Sequence, residues 1–136
     1  MSKLNLPRGL KNNNPGNIRI NSDHFQGEIK PSRDKAFKQF ETMPYGYRAM
    51  LKMLQNYKKN RGCKTIREMI SRWAPESENN TKAYYTFVAE KVGISPDIEV
   101  DTFNKELMCN IAAAMSKIEN GIDPDMSDIT AGWNML

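Results

Sequence analysis

Glu119 closes an apolar stripe. From Leu107 the chain reads LMCNIAAAMSKIENG, with Leu107, Ile111, Ala114 and Ile118 at helical spacing and Met108, Ala112, Met115 and Glu119 running beside them. Both rows fit one wide buried face of a helix, and Asn120-Gly121 supplies the stop signal. The spacing therefore places a carboxylate on or beside a buried face, at the C-terminal end of a helix. Partial desolvation and the negative end of the helix dipole both disfavour its charged form. A carboxyl group kept protonated near neutral pH is suited to act as the general acid of glycosidic-bond cleavage. The alternative is a glutamate on the helix flank whose head reaches water, the ordinary situation for this residue type.

The elements that must position Glu119 follow from the rest of the chain. From Thr42 onward the periodicity is helical. Tyr47, Met50, Leu51, Leu54 and Tyr57 make one apolar face, with Gly62 after it. Thr65-Ile66-Arg67-Glu68 has the form of a capping box and opens a helix whose inner face is Ile66, Met69, Ile70 and Trp73, ended by Pro75. Asn80-Thr81 caps the next helix, with Tyr84, Tyr85, Val88 and Val92 inward and Gly93 as its stop; the long helix ending at Glu119 is expected to start at Asp101 or Thr102. Before these helices, residues 1–17 are rich in Asn, Gly and Pro and read as an irregular loop ordered by side-chain hydrogen bonds. Short segments of strand character follow at 17–20, 24–26, 28–30 and 36–40, separated by turn signals. The expected architecture is a single α+β domain over 1–136: an Asn/Gly-rich loop and small antiparallel β region over 1–41, then a helical region over 42–136 with four main helices.

Composition bounds the function. A length of 136 residues suits one core, with 39% hydrophobic and 26% charged residues. No run of about 18 apolar residues is present, so no membrane span is expected, and the N-terminal stretch lacks the apolar region of a secretory signal. Cys63 and Cys109 fit no metal-ligand spacing, Cys109 reads as a buried reduced thiol, and a single histidine, His24, argues against a His-rich metal site. Neither metal nor other cofactor is expected. The net charge of +4 and pI near 9.1 favour a polyanionic partner, such as nucleic acid, an anionic membrane surface or bacterial cell wall. The basic residues between Lys30 and Arg67 are interleaved with acids and apolar residues. With no basic arm, zinc-finger pattern or RNA-binding signature, nucleic acid is not the expected partner and a solvated basic face is the simpler reading.

Several ordered motifs carry a resemblance. Pro7-Arg8-Gly9-Leu10 runs into Asn12-Asn13-Asn14-Pro15-Gly16-Asn17-Ile18-Arg19. Phe25-Gln26-Gly27 follows, then Phe37 to Phe40 leading into Gly46-Tyr47-Arg48-Ala49, then Thr65-Ile66, Arg72-Trp73-Ala74-Pro75 and Ile118-Glu119-Asn120-Gly121. Together these resemble a family of bacteriophage and prophage proteins usually described as structural or virion proteins. Parts of the pattern are also similar to the lysozyme-like superfamily. Asn110 to Gly121 resembles the helix of goose-type lysozymes and lytic transglycosylases that ends in the catalytic glutamate. Asn14 to Ile18, Phe25-Gln26-Gly27 and Phe37 to Phe40 resemble, in order, the segments that follow that helix in autolysin-type glucosaminidases. Glu78 to Val88 is a looser match to a transglycosylase segment of the type ETxxYVxxV, offset by two residues.

In those enzymes the glutamate helix precedes the β region, whereas here it comes last. The resemblance therefore implies a circularly permuted lysozyme-like fold, which requires residues 1–17 to lie beside 119–136. It implies a peptidoglycan-cleaving glycosidase, a muramidase or a lytic transglycosylase, with Glu119 as general acid. A second carboxylate is sought among Asp23, Glu28, Asp34 and Glu41. Glu28 and Asp34 rank first because autolysin-type enzymes carry a second acid in this hairpin, and solvated turn charges are the alternative for each. Without a second acid, the resemblance points to transglycosylation, in which the sugar's own 6-hydroxyl attacks. Asn14, Asn17 and Arg19 are candidate sugar contacts, since amides suit sugar hydroxyls and N-acetyl groups; local turn bonding is the alternative. Tyr84 or Tyr85 is a candidate hydroxyl donor, but adjacent helix positions cannot both face one cleft. Trp73 reads as core before sugar platform. The rival functions are a non-catalytic virion protein that keeps the fold, with other virion proteins as partners, and a nucleic-acid binder. Synthesis in the bacterial cytoplasm and action at the cell wall, by way of the virion or holin-type release, is the expected itinerary.

Overall fold

The computed structural model describes residues 5–136. Its elements in chain order are α1 (Arg8–Lys11), β1 (Glu28–Ile29), β2 (Gln39–Phe40), α2 (Met43–Arg61), α3 (Ile66–Trp73), α4 (Thr81–Val92), α5 (Lys105–Asn120) and α6 (Met126–Asn134). The chain is mainly helical, with a small antiparallel sheet in which Glu28 pairs with Phe40 and Ile29 with Gln39.

The helices begin and end for local reasons. At α3, the Thr65 side chain accepts from the Glu68 amide while the Glu68 side chain accepts from the Thr65 amide, the reciprocal arrangement of a capping box. Asn80 caps α4 and Asn104 caps α5 through their side chains. Gly62, Gly93 and Gly121 end α2, α4 and α5 in the left-handed conformation.

α5 starts at Lys105 and not at Asp101 or Thr102. The Asp101 carboxylate accepts from the Phe103 amide, and its carbonyl accepts from the Asn104 amide. Together they close a turn ahead of the helix. Two further helices add to the four expected. Pro7 to Asn12 winds into the single turn of α1, and α6 follows an Asp125 cap whose carboxylate accepts from the Ser127 amide.

The β region is smaller than the sequence predicts. His24 to Gln26 forms no strand, and Asn17 to Ile20 contributes only an isolated bridge, Arg19 to Phe37. Side chains take the place of the missing ladder. Buried Asn14 donates to the carbonyls of Ile18 and Lys38, each at 2.9 Å, and accepts from the Ile18 amide at 2.9 Å.

The core lies between α2 and α5. α2 contributes Tyr47, Ala49, Met50, Leu51 and Leu54, and α5 contributes Met108, Ile111, Ala112 and Met115, all buried. α6 closes over α2, α4 packs against α5, and α3 packs on α4. Truncating a buried residue such as Leu54 or Ile111 to alanine is expected to cost about 2–5 kcal/mol. Cys109 is buried and Cys63 half-buried, and both are free thiols. No helix among the described residues is long and apolar enough to cross a membrane.

Candidate active site

The stripe that buries α5 rotates Glu119 to the edge of the core, where it is half-buried. The end of α5 is locked from two sides. Buried Asn120 donates to the Pro15 carbonyl at 2.8 Å and to the Ser116 carbonyl at 3.0 Å, tying the helix terminus to the N-terminal loop. Ser116 is itself bonded to the Tyr47 hydroxyl at 2.9 Å, so α2 braces the same turn.

Two side chains hold the Glu119 carboxyl. The Asn17 amide donates to Oε1 at 3.0 Å, and the Tyr84 hydroxyl donates to Oε2 at 2.9 Å. Asn17 sits at φ 51, the left-handed conformation that asparagine tolerates better than most residues. Tyr84 projects from the buried face of α4. Burial first, then the charge of Glu119 and the hydrogen bond to it, pushes the phenol well above its ordinary pKa, so Tyr84 stays a proton-bearing donor. Each Glu119 oxygen accepts one of these bonds and keeps a second lone-pair site for a proton or a ligand.

Two cavities are lined by the hydrogen-bond partners of this carboxyl, and Glu119 itself is in neither lining. One, of about 310 Å³, is lined by Asn17, Arg19, Tyr57, Trp73 and Glu78 among others. The other, of about 390 Å³, is lined by Asn79, Asn80, Tyr84, Phe87 and Ile118 among others. Asn17 belongs to the first and Tyr84 to the second, so the two hydrogen-bond partners of Glu119 each face a different opening.

The predicted site residues divide into those gathered here and those placed elsewhere. Glu119, Asn17, Arg19 and Tyr84 share the region. Tyr85 points away from Glu119: Arg67 stacks over its ring at 4.9 Å and donates to its hydroxyl at 3.2 Å. Asn14 is fully occupied by the backbone bonds described above and lies buried in the loop, not on a cavity wall. Trp73 is half-buried and meets Tyr57 edge-on, with ring centroids 6.2 Å apart, as part of the cavity wall.

Glu28 and Asp34, the acids ranked first as partners of Glu119, are both spoken for. Both oxygens of Glu28 accept from Lys38 Nζ at 3.0 Å, and the two side chains are buried together. Asp34 takes two bonds from the Arg8 guanidinium at 2.6 Å, a third from Asn12, and the amides of Ala36 and Phe37. Arg8 holds the Asp34 carboxyl well below the usual carboxylate range. These acids brace the β region and the N-terminal loop.

Sequence reasoning singled out neither Gly9 nor Asn120 individually. A Cβ built on Gly9 would stand 2.6 Å from Asn120 Oδ1, 2.7 Å from Asn17 Oδ1 and 2.8 Å from the Asn14 carbonyl. Only a glycine lets the loop approach the end of α5 so closely. The Asn120 Oδ1 atom, buried without a hydrogen-bond donor, looks onto this Cα. The signal was present in the motifs, since Gly9 lies in Pro7-Arg8-Gly9-Leu10 and Asn120 directly follows Glu119, but neither spacing shows that the two meet.

No known family profile matches the chain. Protein P5 of Pseudoalteromonas phage PM2 is 40% identical over 120 residues, covering 86% of this chain and 73% of that protein. The chain belongs to the family of this phage protein. It is thus phage-related, as the ordered motifs around Asn12–Arg19 and Ile118–Gly121 imply, and the Glu119 site is a feature of a phage-related chain.

Proposed function

We propose that this protein cleaves the glycosidic bonds of bacterial peptidoglycan, with Glu119 as the general acid. The observation that carries the reading is the setting of Glu119. It is held by Asn17 at 3.0 Å and Tyr84 at 2.9 Å, and each of these partners lines a cavity walled by amide, aromatic and aliphatic side chains. Amides suit the hydroxyl and N-acetyl groups of amino sugars, and aromatic walls suit the apolar faces of sugar rings. In the reaction, Glu119 gives its proton to the leaving glycosidic oxygen as the sugar takes on oxocarbenium character. Asn17 and Tyr84 fix the carboxyl so that its free lone pairs face the cleft.

The contacts of the loop with α5 also support a circularly permuted lysozyme-like fold. Pro15 and Asn17 bond to Asn120 and Glu119, the juxtaposition that moving the glutamate helix from first to last place requires. Phage kinship supplies a reason for the activity, because a phage crosses the wall on entry and on exit. Delivery by the virion or by holin-type release then brings the enzyme to its substrate.

A second reading is a virion component that keeps the fold without activity. The observation in its favour is that Lys38 and Arg8 occupy the two β-region acids, leaving Glu119 without either as a partner. Mass spectrometry of soluble products from purified peptidoglycan separates the readings. Anhydro-muropeptides identify a lytic transglycosylase, and reducing ends identify a hydrolase and the bond it cuts. A folded protein that releases nothing from any wall type supports the virion component.

A further inference from the structure

The cavity on the Asn17 side contains a carboxylate that the β region does not supply. Residues 17–21 form one wall, and Trp73, Pro75 and Glu78 form the other, with Met53 and Tyr57 from α2 at the base. Asn17 both lines this cavity and holds Glu119, so the cavity and the Glu119 carboxyl share one side chain. We propose that Glu78 is the second carboxylate of the site and activates the water that completes hydrolysis. The inference rests on the reading of Glu119 as general acid.

Three features single out Glu78. Its side chain is exposed and, among the described residues, forms no ion pair and no hydrogen bond, in contrast to the saturated oxygens of Glu28 and Asp34. Its turn is nonetheless ordered. The Glu78 amide donates to the Pro75 carbonyl at 3.0 Å, the Asn79 side chain donates to the same carbonyl at 3.3 Å, and the Thr81 hydroxyl donates to the Ala74 carbonyl. The turn also leads directly into α4 through the Asn80 cap. One helix therefore has Glu78 just before its entry and Tyr84, which bonds Glu119, on its buried face. A carboxylate on a short, braced turn at a helix entry is held where chemistry needs it.

The step balances as follows. The Glu119 proton passes to the glycosidic oxygen as the bond from that oxygen to the anomeric carbon breaks. A water oxygen bonds to the anomeric carbon, and the Glu78 carboxylate takes the proton that water loses. The products are a leaving sugar with a free hydroxyl and a new reducing end, and solvent returns the proton from Glu78 to Glu119. Two carboxylates flanking the bond make the enzyme a hydrolase, whereas Glu119 alone would leave attack to the sugar's own hydroxyl.

The test compares wild type, Glu78→Gln, Glu78→Ala and Glu119→Gln on purified peptidoglycan, with circular dichroism confirming that each is folded. Wild type is expected to release products with reducing ends. Glu78→Gln is expected to lose about 10²-fold or more of that rate while sedimenting with peptidoglycan as wild type does. Azide is expected to restore turnover to Glu78→Ala and to appear in the product as a glycosyl azide. Full activity of Glu78→Gln beside an inactive Glu119→Gln overturns the role of Glu78 and leaves that of Glu119 standing. So do anhydro products from wild type that are lost in Glu119→Gln. Full activity of Glu119→Gln, or a wild type that releases nothing, overturns the reading of Glu119 and this proposal with it.

Discussion

Asn17 donates from the N-terminal loop to Glu119 Oε1 at 3.0 Å, across 102 positions of sequence. This bond joins the least regular part of the chain to the end of its central helix. The Asn12–Asn17 loop is therefore part of the site. Its dense asparagines divide the work: Asn14 replaces a strand ladder, Asn12 bonds Asp34, and Asn17 alone reaches the carboxyl.

Gly9 is where that junction is most easily broken. Gly9→Ala would drive a methyl group into Asn120 Oδ1, Asn17 Oδ1 and the Asn14 carbonyl. The expected cost is about 1–3 kcal/mol of stability, read by urea denaturation. Because the loop moves away from α5, activity on peptidoglycan should fall by more than the lost folded fraction explains.

Tyr84→Phe deletes the hydroxyl that bonds Glu119 Oε2 and leaves the ring in the core. With Glu119 protonated as general acid, a hydrogen bond between neutral groups contributes about 0.5–1.5 kcal/mol, so activity should drop by up to about tenfold while the fold persists. Burial, reinforced by Glu119, keeps the Tyr84 phenol protonated well past its ordinary titration range. The wild-type pH–rate profile should accordingly show no loss attributable to Tyr84 up to about pH 10; a limb below that pH which vanishes in Tyr84→Phe would contradict this placement.

The Arg8–Asp34 pair sets an acid dependence of stability. Arg8 lowers the folded-state pKa of Asp34 below its unfolded value. The stabilisation is complete above the ordinary carboxylate pKa of about 4 and is lost as pH falls through the lower folded value. Thermal melts between about pH 2 and 5 should show a shallower acid slope for Asp34→Asn than for wild type. Equal slopes would show that other groups carry the acid dependence.

Buried Lys38 and Glu28 behave differently. Removing one partner leaves the other charge buried and unpaired, and Lys38→Met or Glu28→Gln should each cost about 3–5 kcal/mol. The double change Glu28→Leu with Lys38→Met removes both charges and should recover most of that loss in urea denaturation. A double variant as unstable as the sum of the singles would mean that packing, not charge, dominates at this position.

The helices were open to sequence reading because their signals are local. The Thr65–Glu68 capping box, the Asn80 cap, the glycine stops and the apolar stripe of α5 all act within a few residues of one another. The start of α5 was misplaced because an aspartate is as ready to close a turn as to cap a helix, and Asp101 closes a turn. Of the two tyrosines that the spacing left open, Tyr84 bonds Glu119 and Tyr85 bonds Arg67. The ion pairs of Glu28 and Asp34 are, by contrast, not local. Their cations, Lys38 and Arg8, lie 10 and 26 residues away, and nothing in the spacing reveals which charges meet. Glu78 opens a segment whose resemblance was visible in the sequence, but it shares a cavity with Asn17 only once α3, α4 and the loop have packed.

The central claim rests on one proton donor, and the most direct measurement is the rate of soluble muropeptide release by Glu119→Gln relative to wild type. The amide keeps the shape of the side chain and one accepting oxygen for Asn17 or Tyr84, its NH2 can donate to the Tyr84 hydroxyl, and it cannot donate an acidic proton. The account predicts a folded variant that has lost about 10²–10⁴-fold of the wild-type rate. A folded Glu119→Gln protein that releases muropeptides at the wild-type rate would contradict it.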